Sequence, residues 1–143
     1  MKSAAVLLMM ALCGIVLTVI EKEQSQQDHV TVCKMTDVEI GARLLESGEY
    51  QPEVRATGVD SDMVLDITRS NAVDIAVMFH DEFGRFKNGN GDAISVSTGD
   101  PEDDPIIVVV PEGANGLNII QITSDESKHL ARCVIDANKK FNK

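Results

Sequence analysis

The chain has 143 residues, of which 43% are apolar and only 3% aromatic, and 23 acidic against 13 basic side chains leave a formal charge of −10. A chain of this length holds one domain with an ordinary core, and its acidity repels phosphate backbones, which argues against nucleic acid as a partner. The charge is uneven: residues 53–104 carry twelve acids against four bases, whereas residues 128–143 carry five bases against Asp136 alone. With no Trp and four Phe, Val and Ile must fill much of the core, which leans toward sheet.

At the N-terminus, Lys2 is followed by an uncharged run over residues 4–20 and then by Glu21-Lys22-Glu23. This pattern predicts export, with residues 1–20 as a signal peptide or an N-terminal membrane anchor. As a helix the run rises about 25 Å, slightly short of a bilayer core of roughly 30 Å. Cleavage after Cys13 would leave the β-branched GIVLTVI as a strand, whereas retention would give an anchor with its N-terminus inside. Residues 21–28, EKEQSQQD, read as a polar tether, and residues 29–143 as a single extracytoplasmic domain.

Cys13 lies in the apolar run, which leaves Cys33 and Cys133 at the two ends of the domain. Two cysteines in an exported domain most simply pair, and closing a loop of about 100 residues is worth about 4–5 kcal/mol on the chain-entropy model. The alternatives are two buried thiols that never meet, or a zinc site. Zinc would need His29, His80 or His129 to converge on them, and only His129 and Cys133 share i, i+4 spacing.

Along the domain, residues 29–35 alternate as a first strand. Thr36-Asp37-Val38-Glu39 matches a capping box and predicts a short helix stopped by Gly48, although Val38, Ile40, Ala42 and Leu44 also alternate. Residues 53–58 and 63–68 read as short strands. In 72–86, the alternation of Val73, Ile75, Val77 and Phe79 predicts a strand, with a helix from Asn71 to Gly84 as the other possibility. The two Asn-Gly pairs of 87–92 mark a hairpin loop. Strands are predicted at 93–97, 106–110 and 117–123, punctuated by GDPEDDP and PEGANG. Leu130, Cys133, Val134, Ala137 and Phe141 then form a helical stripe, with Ser124 as cap, Asp125 and Glu126 at its start and Lys139 and Lys140 at its end. No internal repeat is apparent. The pattern predicts an α+β fold: a mainly antiparallel β-sheet with a C-terminal amphipathic helix packed on it, preceded by an N-terminal hydrophobic helix. An all-β sandwich is the alternative.

Chemistry is sparsely signposted. The acidic loop with Asp100, Glu102, Asp103 and Asp104 offers oxygen ligands for calcium, although solvated hairpin loops explain it as well. Residues 88–99 begin like an EF-hand loop but place Ala93 and Gly99 where Gly and Glu are required. His80 beside Asp81 and Glu82 could serve acid–base work, yet the nucleophile-elbow, phosphate-loop, dinucleotide and zinc-protease motifs are all missing. Met63, Met78, Phe79, Phe83 and Phe86 read as core. These features predict a non-catalytic extracytoplasmic interaction or structural module without a cofactor, membrane-anchored through residues 4–20 or secreted. Its partner is a protein or a second copy, within a larger assembly. A calcium-dependent adhesion or self-assembling domain and a small hydrolase using His80 are the other readings.

Overall fold

The computed structural model describes residues 28–57, 62–89, 91–100, 102–111 and 118–143. The predicted leader, and the tether up to residue 27, lie outside the described residues. In chain order the elements are β1 (His29–Met35), β2 (Val38–Leu44), β3 (Tyr50–Thr57), β4 (Asp62–Asp66), α1 (Ala72–Asp81), β5 (Gly84–Lys87), β6 (Ala93–Ser97), β7 (Ile106–Val110), β8 (Asn118–Gln121) and α2 (Ser124–Phe141). The strands form two antiparallel four-stranded meanders, β1-β2-β3-β4 and β5-β6-β7-β8. The fold is therefore α+β with α2 packed on the first sheet, and the sandwich alternative falls because residues 124–141 are helical.

Two expectations are corrected, both where apolar residues satisfy more than one period. Residues 38–44 are a strand, not a helix. Thr36 and Asp37 make the tight connection of the β1–β2 hairpin, with Thr36 at φ 54°, and Glu39 accepts from Thr31 on the neighbouring strand instead of closing a capping box. Period two then places Val38, Ile40 and Ala42 in the core and Glu39, Gly41 and Arg43 on the opposite face. Conversely, residues 72–81 are a helix, not a strand. Ala72, Ile75, Ala76 and Phe79 recur at helical spacing and are buried, while Val73 and Val77 face out. The helix ends at Glu82, in the left-handed region at φ 59°, whose N–H bonds back to the Phe79 carbonyl. Gly84 follows at φ 141°, where a Cβ would press on Met78. At α2 the cap is Thr123 rather than Ser124: its hydroxyl accepts from the Glu126 N–H at 3.1 Å and the Glu126 carboxylate accepts from the Thr123 N–H at 2.8 Å.

The chain also contains a structural repeat, contrary to the sequence reading. Each half is a four-strand meander followed by a helix. Ile40, Val54 and Leu65 sit side by side across the first sheet as Val96, Ile107 and Ile120 do across the second. In one half the Ile67 N–H donates to the Pro52 carbonyl, and in the other the Ile122 N–H donates to the Pro105 carbonyl. Each of these isoleucines precedes a threonine whose carbonyl accepts the first helical bond, from Ala72 and from Ser127. Because the matched positions are mostly different aliphatic residues, only the geometry reveals the correspondence.

The helices are exchanged between halves. α1 packs on β5 and β6, α2 packs on β1, β2 and β3, and the two helices lie against each other. They run antiparallel, since Asn142 after α2 donates to the Ile67 carbonyl before α1, while Ser127 in the first turn of α2 donates to the Phe79 carbonyl near the end of α1. One continuous core, from Val38 to Ala137, joins both sheets and both helices, with Phe79 its largest fully buried side chain.

Candidate functional site

Cys33 on β1 and Cys133 on the buried stripe of α2 form a disulfide, with Cα atoms 6.4 Å apart and a sequence separation of 100. It fastens α2 to the sheet of the other half. His129, one helical turn before Cys133, brings an imidazole nitrogen to the same place: its ligating atom and both sulfurs all lie within 4.8 Å of one another.

The acidic loop is arranged differently. Asp100, Glu102, Asp103 and Asp104 are all exposed. The Thr98 hydroxyl donates to the carbonyls of Asp100 and Asp103, and the Asp100 carboxylate accepts from the Glu102 N–H at 3.0 Å, so the loop is held by its own bonds. Among the described residues these carboxylates do not converge, and the only cluster of three potential ligands is Cys33, His129 and Cys133. His80 stands at the exposed end of α1 with its Nδ1 3.1 Å from Asp81. It borders the groove between α1 and α2.

The face of the first sheet turned away from the helices carries an ionic centre that the sequence did not disclose. Glu53 on β3 has no exposed surface. Arg43 Nη1 lies 2.7 Å from its Oε1 and Arg55 Nη2 2.8 Å from its Oε2. Arg43 also bonds Asp66 at 2.7 Å, and Arg55 approaches Asp62 at 3.8 Å. The carboxylates of Asp66 and then Glu53 push the Arg43 guanidinium further above its already high value. Gly41, directly opposite Glu53 in the register, leaves the space in which the His29 ring lies over the carboxylate, with Nε2 3.6 Å from Glu53 and without a hydrogen-bond partner. A Cβ at Gly41 would meet the Val30 carbonyl and the imidazole. Arg43 and Asp66, with Val64, Asn88 and Gly89, border an open cleft of about 490 Å³. These charges share a face at period two, but only the strand register brings them together.

Exposed large apolar side chains occur at Ile119 on β8 and, as a group, on and just after α1. Val73 and Val77 on α1 are 61% and 48% exposed, and with Ala76, His80, Ala131 and Ile135 they line a groove of about 420 Å³ between the helices. Arg132 and Asp136 of α2 complete it. The i, i+4 spacing of the two valines was the available signal, hidden by reading their segment as a strand. Phe83, 74% exposed, follows the same helix. Among the described residues no helix is long and apolar enough to cross a membrane. Comparison with known protein families, with curated proteins and with solved structures finds no match for this chain.

Proposed function

We propose that this chain is a non-catalytic, exported interaction module, a subunit of a larger assembly, which takes a partner protein in the groove between α1 and α2. Residues 4–20 serve as the hydrophobic helix that routes it through, or holds it in, a membrane. The single observation carrying the reading is the exposed valine pair. Val73 and Val77 sit one turn apart on a helix whose other face is committed to the core, and Ile135 extends the apolar strip across the groove. The disulfide supports the extracytoplasmic part, because such bonds persist in oxidising compartments. The groove carries one charge of each sign, Arg132 and Asp136, beside its apolar strip, which suits an amphipathic segment with a short apolar ridge flanked by polar residues.

A photo-cross-linker at Val77 in the native host tests this. One discrete adduct with a second protein is expected, lost on Val73→Asp at unchanged melting temperature, and not formed by the same label at Asp103. An adduct of two copies of this chain would make the groove a self-association surface instead, and no adduct would refute the reading.

A further inference from the structure

We infer that Cys33, Cys133 and His129 form a redox-gated site for a soft or borderline metal ion, closed as a disulfide and opened by reduction. This goes beyond the interaction reading and does not depend on it, since the site lies on the joint between α2 and β1 and not on the valine groove.

The ligands come from rigid elements. His129 and Cys133 are one turn apart on the same face of α2, and Cys33 belongs to β1, on which that face packs. All three ligating atoms already lie within 4.8 Å of one another. A tetrahedral zinc with Zn–S bonds near 2.3 Å needs sulfurs about 3.8 Å apart. The Cα separation of 6.4 Å leaves the two side chains able to open to that span by rotation, without moving either backbone. Cys133 is buried, whereas Cys33 and His129 are half-buried, so a fourth position faces water. Two thiolates and an imidazole select zinc or cuprous ion over calcium or magnesium, which prefer oxygen.

The chemistry balances. A thiol reductant passes two electrons to the Cys33–Cys133 bond, which becomes two thiols while the reductant becomes its own disulfide. A divalent metal then displaces two protons as it binds the thiolates. A small disulfide reverses both steps: it takes two electrons from the two thiolates, is itself reduced to two thiols as it picks up two protons, and the ion leaves as the Cys33–Cys133 bond re-forms.

The test uses the full chain in mild detergent, with cobalt as the spectroscopic probe for zinc. After anaerobic reduction, one cobalt per chain is expected, with the visible bands of a tetrahedral ion and a thiolate-to-cobalt charge-transfer band, all displaced by one equivalent of zinc. The oxidised chain should show none of these. His129→Ala, whose oxidised form should melt like the parent, should bind cobalt at least about tenfold more weakly. Reduced protein without the charge-transfer band overturns the inference. So does a His129→Ala variant that binds like the parent, or a reduced chain whose far-UV signal collapses and is not restored by metal.

Discussion

Glu53 shows how far a single side chain can depend on its neighbours. A carboxylate with no exposed surface persists in a sheet only if its desolvation is offset, and here two guanidinium groups and a histidine ring surround it. The partners are not equivalent to the centre. Removing Arg43 leaves one oxygen of the buried carboxylate without its guanidinium, with Arg55 still on the other, whereas replacing Glu53 by Gln keeps the shape and an accepting oxygen and leaves each arginine its second acid. Arg43→Ala is therefore expected to cost about 3 kcal/mol, the lower end for a broken buried pair because Arg43 is partly exposed, and Glu53→Gln about 1–2 kcal/mol. Urea denaturation of both variants checks the ranking. Gly41→Ala belongs to the same site: the added methyl would push on the Val30 carbonyl and the His29 ring, and a loss of about 1–3 kcal/mol is expected in the same assay. None of this was legible in the sequence. Arg43, Glu53 and Asp66 lie on three strands, and their meeting depends on a register that hydrophobic alternation leaves open by whole pairs of residues.

Between the elements, the joint from α1 to α2 turns on Glu82. Its carboxylate accepts from Lys128 Nζ at 2.7 Å and from the Ser124 hydroxyl at 2.5 Å, so the C-terminal end of one helix is tied to the N-terminal end of the other. Lys128, and then Ser124, hold the Glu82 carboxyl below the ordinary carboxylate range. A depressed folded-state value means that the contribution to stability is fully present above the unfolded value, near pH 4.3, and fades as pH falls through the folded one. Glu82→Gln should thus lower the melting temperature by about 3–6 °C at pH 7, and the gap to the parent should narrow below about pH 4; melting curves at both pH values decide it. The elements themselves were unevenly legible. The stripe Leu130, Cys133, Val134, Ala137 fits only a helix, and α2 was found at nearly its true length. The run Val73, Ile75, Val77, Phe79 fits a strand by alternation, but Ala72 and Ala76 let it fit a helix too, and packing against α2 decides for the helix. Val38, Ile40 and Ala42 were the mirror case, where a capping-box match outweighed an alternation that proved correct. The disulfide was legible because cysteine pairing follows from number and compartment rather than from local conformation.

At the scale of the molecule, the exchange of helices makes each half incomplete. The first meander presents Val38, Ile40, Val54, Ala56 and Leu65 to the core, and the helix packed on its first three strands is α2, which begins 52 positions after its own α1 begins. The second presents Ile94, Val96, Ile107 and Val109 and receives α1. An isolated four-strand meander with an open apolar face, followed by a helix directed elsewhere, lacks a second layer, so neither half has the packed layers that a domain needs. Cutting the chain between residues 83 and 84 tests this. Under reducing conditions, fragments 28–83 and 84–143 should each show weak, non-cooperative far-UV signals, and mixing them should restore a single cooperative melt. Under oxidising conditions the mixture should be trapped as one species through Cys33 and Cys133, because that bond then joins the two fragments. The trapped pair should melt higher than the reduced pair by a margin that widens on dilution, since a covalent link makes association independent of concentration, whereas the reduced pair should lose stability as it is diluted. A fragment that melts cooperatively alone would mean that its helix can fold back onto its own sheet. The exchanged packing would then be one of two accessible arrangements, and the disulfide would be what selects it.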